Sequence, residues 1–117
     1  MSPNKSTNAA LNGIRVIDFS RIVAGPHCTM CLADFGADVI KVEDTGKGDD
    51  LRSHKPPHIT CDSPYFLSLN RNKRSISINM AEPDGHAVIH DLMATADKLV
   101  ENAAPVSWKN TASAMKI

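Results

Sequence analysis

The chain has 117 residues, enough for one domain with a modest core and too few for two. Lysine plus arginine and aspartate plus glutamate stand at 13 each, so no global field draws the protein to nucleic acid or an anionic membrane, and any anion site must be local. Apolar runs of only a few residues give no bilayer span.

In chain order, residues 1–12 are polar and read as a disordered lead-in. They hold no apolar signal core and one basic residue, Lys5. With three cysteines, an odd number, the expected compartment is reducing and intracellular, mitochondrial or cytoplasmic. Ile14 to Phe19 is short and rich in β-branched residues, which predicts a strand. After a turn over Arg21 to Gly25, Pro26 suits a first helical position. Cys28, Cys31, Leu32 and Phe35 then share one helical face, and Gly36 stands where a helix ends. Asp38 to Val42 predicts a second strand, completing a βαβ unit whose strands are parallel. Glu43 to Pro64 carries three prolines and no period, as functional or disordered loops do. Tyr65 to Leu69 fits a short helix or a strand. Ser75 to Asn79 alternates and predicts a strand with one buried face. A helix opens at Glu82-Pro83-Asp84, with Val88, Ile89, Leu92, Met93 and Ala96 as its apolar face. Lys98 to Glu101 predicts a fourth strand. Ala103 to Ile117 shows no period and reads as a frayed tail or a terminal helix. The expected fold is α/β, a parallel sheet with flanking helices.

In such sheets ligands collect beyond the carboxyl ends of the strands, so the turn Ser20 to Pro26 is a candidate site. Gly25 would let backbone approach a ligand, and the helix start favours anions. A tight turn without a ligand accounts for the same residues. Arg71, Lys73 and Arg74 within Asn70 to Arg74 are candidate phosphate contacts, the alternative being a solvated charged turn. Cys28 and Cys31 have redox spacing, but their apolar stripe favours service as small buried hydrophobes. A zinc site drawing on His27, His54, His58 or Cys61 lacks a paired motif, so no metal is expected. Asp18, Asp34, Asp38 and Glu43 offer no distinctive acid–base pair and are expected to serve surface solubility.

Leu11 to Arg21, Ala24-Gly25-Pro26, Leu32 to Glu43, Gly48-Asp49 with Arg52, Leu69 to Ile76 and Val100-Glu101-Asn102 together resemble the opening of the family III CoA-transferases, the CaiB/BaiF group. The wording is nearest to the succinate–hydroxymethylglutarate type. The resemblance covers residues 11–102 and implies a CoA-binding Rossmann-like domain over 13–102, with 103–117 a divergent tail. It implies CoA contacts at Val23, Ala24, Ile78, Ala81 and Asn102. CoA and acyl-CoA would be substrates, with no permanently bound cofactor, a small carboxylate as acceptor, and a homodimer in full-length members. The family's nucleophilic aspartate would lie beyond residue 117, so the resemblance assigns no catalytic residue here and implies a truncated, inactive form. Asp44 departs from the family's basic residue, and Ala103 to Trp108 depart from its continuation after Asn102, as a truncated gene model, an alternative exon or a frameshift would produce. A non-catalytic CoA-binding or regulatory fragment and an α-methylacyl-CoA racemase relative are the alternatives.

Overall fold

The computed structural model describes residues 8–54 and 62–116. Strands β1 (Arg15–Asp18), β2 (Asp38–Glu43), β3 (Arg74–Ser77) and β4 (Lys98–Val100) form one parallel sheet in the order β3-β2-β1-β4. Helices α1 (Ala24–Asp34), α2 (Pro64–Leu69) and α3 (Pro83–Ala94) make the connections, and α4 (Pro105–Met115) follows β4. The expected α/β sheet with flanking helices is therefore present. From β1 the chain steps outward to β2 and β3, then crosses back to lay β4 on the far side of β1. That reversal opens a crevice between the carboxyl ends of β1 and β4.

Strand alternation divides the sheet into two unlike faces. Ile17, Ile40, Val42 and Ile78 point to one side, where Ile89 of α3 and Met115 of α4 close an apolar cluster with Trp108 and Met93. Val16 and Val39 point to the other side and pack on Ala33 of α1 and on Ala37 just before β2. Ile76 and Ile78 face inward as the alternation predicts, while the Ser75 hydroxyl turns to Glu43 on the opposite face.

Several local expectations change. The buried residues of α1 are Gly25, Pro26, Thr29, Met30 and Ala33, not the cysteine stripe; Cys28 is exposed, Cys31 half-buried and Phe35 60% exposed. Close approach to the sheet selects small side chains, and Thr29 meets a buried carboxylate there, so hydrophobicity alone names the wrong face. In α3, Ile89 is buried but Val88 is exposed. Residues 8–13, placed mostly in the lead-in, form a turn: the Leu11 N–H donates to the Phe35 carbonyl (2.9 Å), and Leu11 packs against the Val16 cluster. Residues 1–7 lie outside the described residues.

Gly36 ends α1 in the left-handed region (φ 101°) and donates to the Ala33 carbonyl. In the segment after β2, Asp49 caps a 3-10 turn over Asp50–Ser53 by accepting from the Leu51 N–H. Ser63 caps α2, so the open choice over Tyr65 to Leu69 resolves to helix. The segment after Asn102 is also helical, anchored by Met115 (1% exposed) and by Trp108, whose ring lies 5.6 Å from that of Phe19. Among the described residues no helix is long and apolar enough to cross a membrane.

Candidate functional site

A cleft of about 610 Å³ lies at the reversal point, between the turn after β1, the turn after β4 and one face of α4. Val23, Ala24 and Asn102, three of the five expected CoA contacts, line it together. The other two do not. Ile78 is 5% exposed in the apolar core, and the exposed Ala81 donates its N–H to the Asn79 side chain. Met80, between them, forms part of the cleft wall instead. Phe19 and Trp108 also line it without having been expected there, while Ile22 belongs to the candidate turn Ser20 to Pro26. Trp108 was legible as a large apolar residue in a polar tail, but no local pattern joins it to Phe19.

The turn entering α1 is held almost atom by atom. Ser20 donates its N–H (2.9 Å) and its hydroxyl to Asp18 Oδ1, and its carbonyl accepts from Lys41 Nζ (2.9 Å). The Arg21 N–H donates to Asn102 Oδ1 (2.9 Å), and the Arg21 carbonyl accepts from Asn102 Nδ2 (2.7 Å). The Ile22 N–H points to the Asp49 carboxylate at 3.2 and 3.3 Å. Ile22 itself is left-handed (φ 71°), a conformation that costs a β-branched residue about 1–2 kcal/mol. A Cβ on Gly25 would overlap the Ser20 side chain and crowd Asn102. Gly25 thus serves the packing of the turn on α1, a use distinct from the expected ligand approach. Val23 caps α1 beside the cleft without a side-chain hydrogen bond, and since Pro26 has no N–H, the Ala24 and Gly25 N–H groups make up the donors of that helix start.

Below this turn lies a charged layer on the α1 face of the sheet. Lys41 and Asp49 pair at 2.8 Å with side chains 2% and 0% exposed. Asp18 accepts from the Thr29 hydroxyl (2.6 Å) and from Lys73 Nζ (3.2 Å). Burial pulls the Lys73 ammonium below the ordinary lysine value, against the opposing pull of Asp18. Glu43 accepts from Arg52 at 2.8 and 2.6 Å, from the Ser75 hydroxyl and from the Asp49 N–H. Burial by itself would raise the Glu43 carboxyl, but these hydrogen bonds win and hold it at about 2. The expectation that Asp18 and Glu43 serve the surface is corrected: they are 0% and 6% exposed. Their partners come from other elements, which sequence spacing does not reveal.

Of the basic cluster, Lys73 reaches this layer, whereas the two arginines sit elsewhere. Arg74 opens β3, toward the amino end of the sheet, and pairs with Asp38 (2.7 Å), while Arg71 pairs with Asp34 (2.7 Å). Arg71's hydrogen bonds hold the Asp34 carboxyl below its usual range. Each of Arg71, Lys73 and Arg74 is thus committed to a carboxylate of the chain, and a phosphate there would have to compete for it. Among the described residues no cluster of histidine, cysteine, aspartate and glutamate could hold a metal ion; His58 and Cys61 lie outside them.

Comparison with known proteins gives this geometry a context. A family model described as CoA-transferase family III matches residues 11–113. The chain is 50% identical over 95 residues to a succinyl-CoA:glutarate CoA-transferase of Mus musculus, covering 81% of this chain and 22% of that protein. It is 46% identical over 108 residues to a formyl-CoA:oxalate CoA-transferase of Afipia carboxidovorans, covering 86% and 26%. The crystal structure of a CAIB/BAIF family protein from Brucella suis superposes with a TM-score of 0.82 at 34% identity, covering 93% of this chain and 30% of that one. The chain therefore spans less than a third of the length of these relatives.

Proposed function

The chain belongs to CoA-transferase family III, and from that premise we propose that it forms the CoA-binding portion of an enzyme moving CoA from an acyl-CoA to a small carboxylic acid. The observation that carries this reading is the cleft at the β1–β4 reversal, where Val23 and Ala24 set the uncapped start of α1 beside an apolar wall. CoA needs both parts: N–H groups at a helix start suit its phosphates, and Ile22, Met80 and Trp108 suit its long uncharged arm. Of the expected contacts, Val23, Ala24 and Asn102 are carried forward. The names of the relatives, transferases between succinyl-CoA and glutarate or formyl-CoA and oxalate, support an acyl-CoA donor and a dicarboxylate acceptor.

The covalent chemistry is assigned to an aspartate in the part of the relatives that this chain does not span. Its carboxylate would attack the thioester carbonyl, giving a mixed anhydride and a CoA thiolate. The thiolate returns to the aspartyl carbonyl, forming an enzyme thioester and releasing the donor acid. The acceptor carboxylate then attacks that thioester, expelling the thiolate and giving a second anhydride, from which the thiolate takes the acceptor's acyl group and frees the aspartate. The cleft's part is to keep CoA in place between these steps. The same reading takes the full-length enzyme as a homodimer.

Calorimetric titration of CoA into the 117-residue chain tests the cleft. Saturable heat below about millimolar CoA is expected, and its absence at that concentration overturns the reading. The Ala24→Trp variant, which fills the mouth of the cleft, should abolish the heat. Thioester exchange between succinyl-CoA and glutarate by this chain alone would overturn the assignment of the nucleophile elsewhere.

A further inference from the structure

We propose that the buried pair Lys41–Asp49 is a positioning device that clamps the turn after β1 and holds Ile22 in its left-handed conformation, so that Val23 and Ala24 are presented to CoA. The inference rests on the CoA reading of the cleft, but its structural half stands separately.

A central parallel strand covered on both faces is ordinarily apolar throughout, yet Lys41 in β2 is 1% exposed. Its ammonium reaches two acceptors, the Asp49 carboxylate (2.8 Å) and the Ser20 carbonyl (2.9 Å). Asp49 in turn receives the Ile22 N–H. The pair therefore grips the turn on either side of Arg21, at the carbonyl of Ser20 and the N–H of Ile22. A packed apolar pair could fill the same volume, but it could hold neither backbone group.

Ile22 shows what the grip does. A β-branched residue leaves the left-handed region unless the surroundings hold it there. The Asp49 carboxylate is the acceptor for its N–H, and Asn102 fixes the preceding residue, Arg21, through both its N–H and its carbonyl. Without Asp49, Ile22 would relax toward an ordinary backbone conformation and carry Val23 and Ala24 with it. Asp49 also caps the 3-10 turn after β2 through Leu51, so one carboxylate ties the cleft turn to the long segment following β2.

The test is a double-mutant cycle in the full chain, reading CoA affinity by calorimetry and Ile22 amide exchange by NMR. Asp49→Asn keeps the shape but removes the charge that binds Lys41 and strengthens the hydrogen bond to Ile22. It is expected to weaken CoA about tenfold, the scale of losing one charge-assisted hydrogen bond, and to speed Ile22 exchange by a similar factor. Glycine adopts the left-handed conformation freely, so in an Ile22→Gly background the same change should weaken CoA by less than about threefold relative to that background. An equal loss in both backgrounds, or a folded Asp49→Asn chain that binds CoA normally, overturns the proposal. Should Asp49→Asn not fold, Lys41→Gln, which keeps a donor near Ser20 and Asp49, enters the same cycle with the same expectations. If the unaltered chain gives no heat with CoA, the CoA reading fails. Ile22 exchange then still decides the structural half, which an unchanged rate would refute.

Discussion

The two faces of the sheet are stabilised in opposite ways. The face under α3 and α4 is a continuous apolar cluster from Ile17 through Val42 to Ile89 and Met115. The face under α1 is apolar only toward the amino end, at Val16 and Val39, and gives way to Asp18, Lys41 and Glu43 toward the carboxyl end. Apolar contact is non-directional and tolerates small displacements, whereas charged groups out of water need particular partners at particular distances. The apolar face accordingly supplies cohesion. The charged face fixes where the loops above the strands must lie, and those loops build the cleft.

Breaking the charged face at its centre should have the largest effect. Asp18→Ala leaves the Lys73 ammonium, 2% exposed, without its carboxylate, and is expected to destabilise the chain by about 3–5 kcal/mol in urea unfolding. A loss under about 1 kcal/mol would show that water replaces the carboxylate easily. On the opposite face, Ile89→Ala is expected to cost about 2–4 kcal/mol, equally at every pH where the chain folds, since it removes packing alone.

An acid titration separates the faces further. The Glu43 carboxyl is lowered from 4.5 to about 2 in the folded chain. A depressed carboxylate contributes stability that is present above its unfolded value and lost as pH falls, here between about 4.5 and 2. Discounted for the water that reaches Arg52, this amounts to roughly 2 kcal/mol. The difference in urea midpoint between the chain and Glu43→Gln should shrink as pH falls through that window; a constant difference would assign Glu43 no such linkage. The smallest effect belongs to the rim. Arg71→Ala, in an exposed pair with Asp34, should leave both the urea midpoint and CoA affinity almost unaltered. A larger loss of CoA affinity than of stability would restore the basic cluster as a phosphate contact.

The residues show why some of this was legible in sequence. Strands at Ile14–Phe19 and Asp38–Val42 and the stop at Gly36 follow from β-branching and turn chemistry, which act over a few positions. The turn Ser20 to Pro26 followed from a topological rule applied to those elements; Val23, Ala24 and Asn102, which the family resemblance supplied, fell on the cleft. Ile78 and Ala81 did not, because one residue along a strand end changes which way a side chain points. The cysteine stripe of α1 failed for a different reason: that helix buries small and polar residues against a charged layer that its own sequence does not announce. Helix α4 was invisible as a period, yet Trp108 and Met115 are enough to dock it.

By itself, then, the sequence determined the two βαβ units, the parallel sheet and the family, because these rest on local patterns and ordered blocks of residues; α2 and α4 it left open. Tertiary structure alone decided which charges would be buried and what they would hold. Asp18 meets Lys73 across 55 positions, and Arg21 meets Asn102 across 81. No local rule selects such partners; they follow from parallel strands aligning their carboxyl ends and gathering distant turns around one cleft.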